Sequence, residues 1–499
     1  MKDSHTGFIR KCLIILLVIP FLVSDCGSPD AKKDNRQKYN VLFIAVDDLR
    51  PNLGCYGDPV AVTPNIDQLA SNGMLFSRAY CQQAVCAPSR ASIMTGLRPD
   101  NLRVWDLQTH FRENIPDVVT LPQYFKKHGY YALEVGKIYH DPLRAKDPQS
   151  WSAPSTLHVT QNGRGHKYML DENCTGKMKA AATEMADVHD TSYIDGKVCL
   201  AAIGILNDIK DSTFFLAVGF RRPHLPFSSP VKYWDLYKPE ELPLVKNAAP
   251  PAGVPEIALH NWRELRGYTD MPLAGDIDAE DALRLRWGYY AATSYIDEQI
   301  GILVDELKRL DLYSTTVIVL WADHGFHLGE HNLWCKITNF ELDTRVPLII
   351  CLPEQKTAGT RTNAIVELVD VYPTLADVCG FAIPEGLDGQ SLKPLLEDPE
   401  AEWDKPAISQ FPRPGYYRVK PEFMGYSMRT DQYRYTKWIR IDTGEDIARE
   451  LYDHFTDPGE EVNLAKVSKY KVTIADLDRN LMHEISDGYQ KVIQTFKDQ

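Results

Sequence analysis

The sequence contains no Cys-x-x-Cys pair, no internal repeat, no low-complexity tract and no excess of positive charge. Without cysteines at ligand spacing there is no zinc ribbon and no dithiol redox motif, and ten cysteines in 499 residues are too sparse for a disulfide-dense scaffold. With 55 Lys and Arg against 68 Asp and Glu the formal charge is −13, which argues against a protein built to neutralise phosphate backbones, so nucleic acid is not an expected partner. An anionic ligand would need a locally positive pocket. What is present, 44% hydrophobic and 25% charged residues with 9 Trp, 25 Tyr and 17 Phe, is a globular composition long enough for one large or two ordinary domains.

Lys2, Arg10 and Lys11 precede an apolar run from Cys12 to Val23 that is interrupted by Pro20, the pattern of an export signal and too short to span a bilayer comfortably. The following Leu22-Val23-Ser24-Asp25-Cys26-Gly27 and the polar stretch Ser28 to Lys38 resemble a bacterial lipoprotein signal, with Asp25 standing where such signals carry a small residue. The expectation is a signal peptide over 1–25, a lipidated Cys26, a tether over 26–38, and an exported lipoprotein at the periplasm or cell surface that meets the membrane only through its anchor.

Apolar runs bounded by turn residues recur at Val41–Val46, Tyr131–Val135, Phe214–Val218 and Val317–Trp321, with helical patterns at Ile66–Asn72, Ala282–Leu310 and Leu368–Val378 between them. Alternating strands and helices predict an α/β fold whose sheet is mostly parallel and flanked by helices, over residues 39–395. The Pro-rich stretch Leu225–Asp278 reads as a long surface excursion that shapes a binding site. Tyr426–Thr430 and Tyr433–Trp438, around the Asp431-Gln432 turn, predict strands in a smaller C-terminal α+β domain over 396–499.

In an open α/β sheet ligands sit beyond the carboxyl ends of the strands. The four apolar runs are followed by Asp47-Asp48, by Lys137 and His140, by Arg221, Arg222 and His224, and by Asp323-His324. Asp47-Asp48 taken alone reads as a strand-ending turn. Together these residues bring hard oxygen ligands suited to Ca²⁺ or Mg²⁺, plus a set of cations, to one sheet edge. Cys86-Ala87-Pro88-Ser89-Arg90 opens a short helix that Gly96 ends, which puts Cys86 at a helix N-terminus where anions are favoured and a thiol would be reactive.

Cys86-Ala87-Pro88-Ser89-Arg90, followed by Thr95-Gly96, resembles the maturation motif of the type I sulfatases. The resemblance continues through Asn40–Arg50, Pro64–Asp67, Gly136–His140, Pro223-His224, Asp323-His324-Gly325, Leu328–His331 and Met424–Tyr426, nearly the whole mature chain. Val46–Pro51, Gln83–Cys86 and the Asp-His pair, where many sulfatases carry Asp-Asn, are most similar to iduronate-2-sulfatase-like enzymes.

The resemblance implies an alkaline-phosphatase-like fold and oxidation of Cys86 to formylglycine by a formylglycine-generating or sulfatase-maturing enzyme. It also implies a divalent ion, Ca²⁺ or Mg²⁺, on Asp47, Asp48, Asp323, His324 and the Cys86-derived oxygen. Arg90 and Lys137 would hold the formylglycine hydroxylate and His140 would assist its second hydroxyl. His224 and Lys336 would bind sulfate and supply the leaving group's proton, the donor of the two being undecided. His327 and His331, beside these residues, read as structural hydrogen-bonding groups. The implied substrate is a sulfated oligosaccharide, with a 2-O-sulfated uronic acid as the first reading. An ulvan-type algal polysaccharide, a phosphate or phosphonate ester, and an inactive carbohydrate-binding lipoprotein stand as alternatives.

Overall fold

The computed structural model describes residues 38–140, 147–157, 167–174, 179–243, 245–415 and 420–497. The signal peptide and Cys26 lie outside the described residues, as does all of the tether except Lys38.

Eight strands form the central sheet: β1 (Asn40–Val46), β2 (Met74–Tyr80), β3 (Tyr131–Gly136), β4 (Phe214–Phe220), β5 (Thr316–Ala322), β6 (Arg345–Val346), β7 (Leu348–Cys351) and β8 (Thr360–Glu367). β3, β4, β1 and β5 pair in parallel in that order. Every residue of β1, β4 and β5 is buried, as expected of strands covered on both faces. These are the four apolar runs, and their carboxyl ends share one edge. The sheet continues from β5 through antiparallel β7 to β2, with β8 parallel to β2 and β6 antiparallel to it. This half was not visible as apolar runs, because β2 carries half-buried Ser77 and Arg78 and β7 is four residues long.

The helices that frame the sheet are α1 (Pro64–Asn72), α2 (Cys86–Thr95), α3 (Ile194–Ile209), α4 (Ala279–Arg309) and α5 (Val371–Val378). α3 packs on β3 and β4, and α4 packs across α1 and α3. The stretch 225–278 is less superficial than its composition implies. Trp262, Leu265, Tyr268 and Met271 are buried against Phe326 and Trp334 in a second apolar cluster, so the segment is anchored where it passes the sheet edge.

Four antiparallel strands follow, β9 (Ala407–Arg413), β10 (Phe423–Arg429), β11 (Tyr433–Arg440) and β12 (Asp446–Asp453), with α6 (Lys471–Glu484) and α7 (Ser486–Lys497). Ile474, Leu477 and Leu481 of α6 bury against Met428 and Tyr435 of this sheet. Asn339 donates to the Gly425 carbonyl at 3.0 Å, tying the loop after Lys336 to β10.

Candidate active site

α2 begins at Cys86, after Val85 in an extended conformation, and ends on Gly96 at φ +69, where a glycine meets no steric penalty. Cys86 and Arg90 are four residues apart and therefore share a helix face. That face meets the ends of β1 and β5. Arg90 Nε donates to Asp323 Oδ2 at 2.7 Å, Nη2 lies 3.2 Å from Asp47 Oδ1, and Nη1 donates to the carbonyls of Lys137 and Ile138 at 2.5 and 3.0 Å. One buried guanidinium thus fixes the ends of β1, β3 and β5.

Cys86 Sγ lies 3.4 Å from Asp47 Oδ1, 3.3 Å from His324 Nε2 and 3.6 Å from Lys137 Nζ. Asp47, Asp48, Cys86 and His324 each aim a donor atom into one space, all within 4.8 Å of one another and all buried. Asp323 sits at the rim. Its Oδ1 accepts from the Asp48 and His324 backbone N–H groups at 3.1 Å each and is 3.7 Å from His324 Nε2. His324 Nδ1 is 3.0 Å from the Gly325 carbonyl, which fixes the proton there and leaves the Nε2 lone pair facing the carboxylates. This donor set fits a hard divalent cation.

Burial raises the Asp47 carboxyl, but the charges of Lys137, His224 and Arg90 more than offset it and hold it well below the usual range. Asp48 is pushed up by burial, with Asp47 adding to the rise. The Cys86 thiol is pushed well above its ordinary value by burial and by Asp47, so the helix N-terminus does not yield the reactive thiolate expected from the sequence.

Lys137 reaches Asp47 through a pair of glycines. A Cβ on Gly219 would lie 2.0 Å from the Lys137 carbonyl oxygen, and one on Gly136, at φ +80, would lie 2.1 Å from the Gly219 oxygen. Only glycines let the two strand ends approach so closely, and the ammonium of Lys137 then contacts Asp47 Oδ2. His140 is lowered well below its ordinary pKa by burial and by Lys137, and its buried Nδ1 has no hydrogen-bond partner among the described residues. Burial therefore favours the neutral form of its imidazole.

On the other side of Asp48, Lys336 Nζ lies 2.9 Å from Asp48 Oδ2 and His224 Nε2 lies 4.0 Å from it. Lys336 is buried, and its neighbours Cys335 and Ile337 hold φ values of +73 and +88. Such strain costs roughly 1–3 kcal/mol per residue and is found where a functional side chain is being aimed. His224 Nδ1 is 2.7 Å from the Leu225 carbonyl. Arg222 is occupied in holding the backbone and hydroxyl of Ser228.

His327 Nδ1 pairs with Asp343 at 2.6 Å, and His331 Nε2 lies 2.8 Å from the Gly459 carbonyl, so both engage structural partners. Sequence reasoning missed Glu264, whose carboxylate contacts His224 and Lys336, and two nearby cations. Lys179 donates to the Glu264 carbonyl at 2.5 Å. Lys167 is pushed down to about 7 by burial and by Arg221, Arg222, Lys179 and Lys137. No motif marks these three residues, and the excursion 225–278 was the only pointer to Glu264.

Residues 39–381 match the family model described as Sulfatase, and residues 329–487 match that of the N-sulphoglucosamine sulphohydrolase C-terminal region. The iduronate 2-sulfatase of Homo sapiens is 34% identical, covering 93% of this chain and 97% of the relative. That of Mus musculus is 36% identical over 86% and 91%. A solved structure in complex with its substrate D-glucosamine-2-N,6-O-disulfate superposes with a TM-score of 0.74 at 24% identity, covering 91% of this chain and 98% of that one. With Asp47, Asp48 and His324 buried beside the helix-borne Cys86 and homology along nearly its whole length, the chain belongs to the sulfatase family and is a sulfuric ester hydrolase of the iduronate 2-sulfatase-like kind.

Proposed function

We propose that the protein removes the 2-O-sulfate of a uronic acid from a glycosaminoglycan-derived oligosaccharide, with Cys86 oxidised to formylglycine and a divalent ion, Ca²⁺ or Mg²⁺, held by Asp47, Asp48, Asp323 and His324. The observation that carries this reading is the convergence of Asp47, His324 and Lys137 within 3.6 Å of Cys86 Sγ. The uronate is supported by the names of the mammalian relatives and by the charge of the site's approach, where Lys167, Lys179 and Arg221 favour a second anionic group beside the sulfate.

Formylglycine at position 86 would supply a hydrated aldehyde: one hydroxyl could displace the sugar oxygen from sulfur, and loss of the other hydroxyl's proton would re-form the carbonyl and break the C–O bond to sulfate, leaving no ester to hydrolyse slowly. A cation held by Asp47, Asp48, Asp323 and His324 would supply Lewis-acid stabilisation of sulfate charge. Arg90 keeps the carboxylates of Asp47 and Asp323 in register. Lys137, in contact with both Asp47 and the Cys86 side chain, stabilises negative charge at the nucleophilic oxygen. His140, neutral and with Nδ1 unengaged, takes the proton of the second hydroxyl. His224 and Lys336 face the sulfate from the side of Asp48 and protonate the departing sugar oxygen. Export and lipidation at Cys26 belong to the same proposal.

The test is sulfate release from disaccharides of heparan, dermatan, chondroitin and ulvan by protein confirmed to carry formylglycine, with Cys86→Ala as control. Release confined to 2-sulfated uronates is expected. Release only from ulvan fragments would overturn the substrate, and no release from any of them would overturn the proposal.

A further inference from the structure

Six arginines are buried among the described residues, and five of them are tied down: Arg50 to Glu330, Arg90 to Asp47 and Asp323, Arg222 to Ser228, and Arg429 and Arg434 to Glu341. Arg286, on α4 and 9% exposed, makes no hydrogen bond or ion pair among the described residues. A guanidinium taken out of water without a partner is expensive, so its partner is expected from outside the chain.

Arg286 lines a cavity of about 340 Å³ together with Lys246, Leu342 and Pro458. The cavity is separate from the candidate active site, although both lie beyond the end of β1. Between them stands Tyr289, whose hydroxyl accepts from the Arg50 N–H at 2.9 Å and donates to the Asp48 carbonyl at 2.8 Å. None of the proposed metal ligands or catalytic residues lines the cavity.

The carboxylates around it are already committed. Glu330 accepts from Arg50 and the Leu328 N–H, and Asp58 from Asn52, Tyr290 and the N–H groups of Val60 and Ala61. Glu341 and Glu460 are held by Arg429 and Arg434. With Glu330, Glu341 and Glu460 each offset by an arginine, Arg286 and Lys246 stand against Asp58 alone, and the cavity is locally positive in a chain of formal charge −13. A planar guanidinium presents paired donors that match carboxylate or sulfate oxygens. The volume exceeds the needs of a bare ion and falls at the lower end of the range of about 300–1,000 Å³ typical of pockets for organic ligands, while Leu342 and Pro458 give the ring of a sugar an apolar wall.

We propose that Arg286, with Lys246 beside it, forms a second saccharide site outside the catalytic centre, which takes the carboxylate or sulfate group of an acidic sugar unit. The class of ligand rests on the reading above, in which the substrate is an acidic oligosaccharide.

The experiment titrates formylglycine-loaded wild type, Arg286→Gln and Arg286→Lys with an unsulfated chondroitin disaccharide, which carries a carboxylate, with glucose 6-sulfate, with neutral maltose and with inorganic sulfate. Heat of binding, Tm and sulfate release are followed in each protein. At least one acidic sugar is expected to bind wild type and to lose about 10-fold or more in affinity in Arg286→Gln, with Arg286→Lys between the two and no binding of maltose. Because no partner is lost, Arg286→Gln should melt within about 2 °C of wild type, and kcat on the preferred sulfated disaccharide should stay within about twofold. Unchanged affinity of Arg286→Gln for both acidic sugars, maltose binding as tightly, an Arg286 dependence confined to inorganic sulfate, which is an adventitious ion only, a larger fall in Tm, or a fall in kcat matching the loss of affinity would each overturn the proposal. A wild type that releases no sulfate from uronate disaccharides but keeps Arg286-dependent sugar binding would overturn the proposed function and leave this site standing.

Discussion

Arg90 Nε and Asp323 Oδ2 meet at 2.7 Å with both side chains fully buried, so the helix that carries Cys86 is fastened to the end of the strand that leads into Asp323 and His324. Removing one member of a buried pair leaves an uncompensated charge, which costs about 3–5 kcal/mol. Arg90→Ala is expected to lose that much in urea unfolding and to be inactive. A loss under about 1 kcal/mol would show that the pair does not hold the site together.

Close approach of the β3 and β4 ends predicts opposite outcomes for two glycines. Gly219→Ala puts a methyl group 2.0 Å from the Lys137 carbonyl, and since misplacement of a catalytic group by about 1 Å can cost 10²-fold, kcat should drop by roughly that factor. Gly204 is an exposed position of α3 where an added Cβ would meet nothing within 4 Å, so Gly204→Ala should gain about 0.5–1 kcal/mol without loss of activity. Parallel thermal melts and sulfate-release assays check both.

Divalent cations should stabilise the fold as well as activate it. At 100 times its dissociation constant a ligand adds about 2.7 kcal/mol. Chelation is expected to lower Tm and abolish turnover, Ca²⁺ or Mg²⁺ to restore both, and Asp47→Asn to lose the Tm response. A chelated protein with unchanged Tm and activity, its metal loss confirmed, would contradict the site.

Glu450, a buried residue of β12, predicts a pH effect unconnected with catalysis. Burial pushes its carboxyl up from 4.5 to about 7, although Trp438 and Tyr452 donate to it at 2.8 and 2.9 Å. The folded pKa exceeds the unfolded one, so its contribution to stability is full below about 4.5 and is lost as pH rises through about 7. At 1.36 kcal/mol per pKa unit this is about 3 kcal/mol. Unfolding free energies between pH 4.5 and 7.5 should therefore fall relative to those of Glu450→Gln, and parallel curves would refute the assignment.

Much of the site was legible because its residues come directly after buried parallel strands. Apolar runs at 41–46, 131–135, 214–218 and 317–321 became β1, β3, β4 and β5, and the residues after each run lie at one sheet edge by topology alone. The other half of the sheet was illegible because Ser77 and Arg78 interrupt β2 and β7 is short. Burial of the Cys86 thiol among carboxylates reversed the reactivity expected of a helix N-terminus, since desolvation is a tertiary property. Glu264 was hidden for a similar reason. A glutamate in an aperiodic segment carries no signal until folding brings it within 3.2 Å of His224 and 3.0 Å of Lys336.

The most direct test of the central claim measures sulfate release against the fraction of Cys86 converted to formylglycine, determined by peptide mass in preparations matured to different extents. Turnover should rise in proportion to conversion and vanish in Cys86→Ala. Turnover independent of conversion, or persisting in Cys86→Ala, would contradict the account.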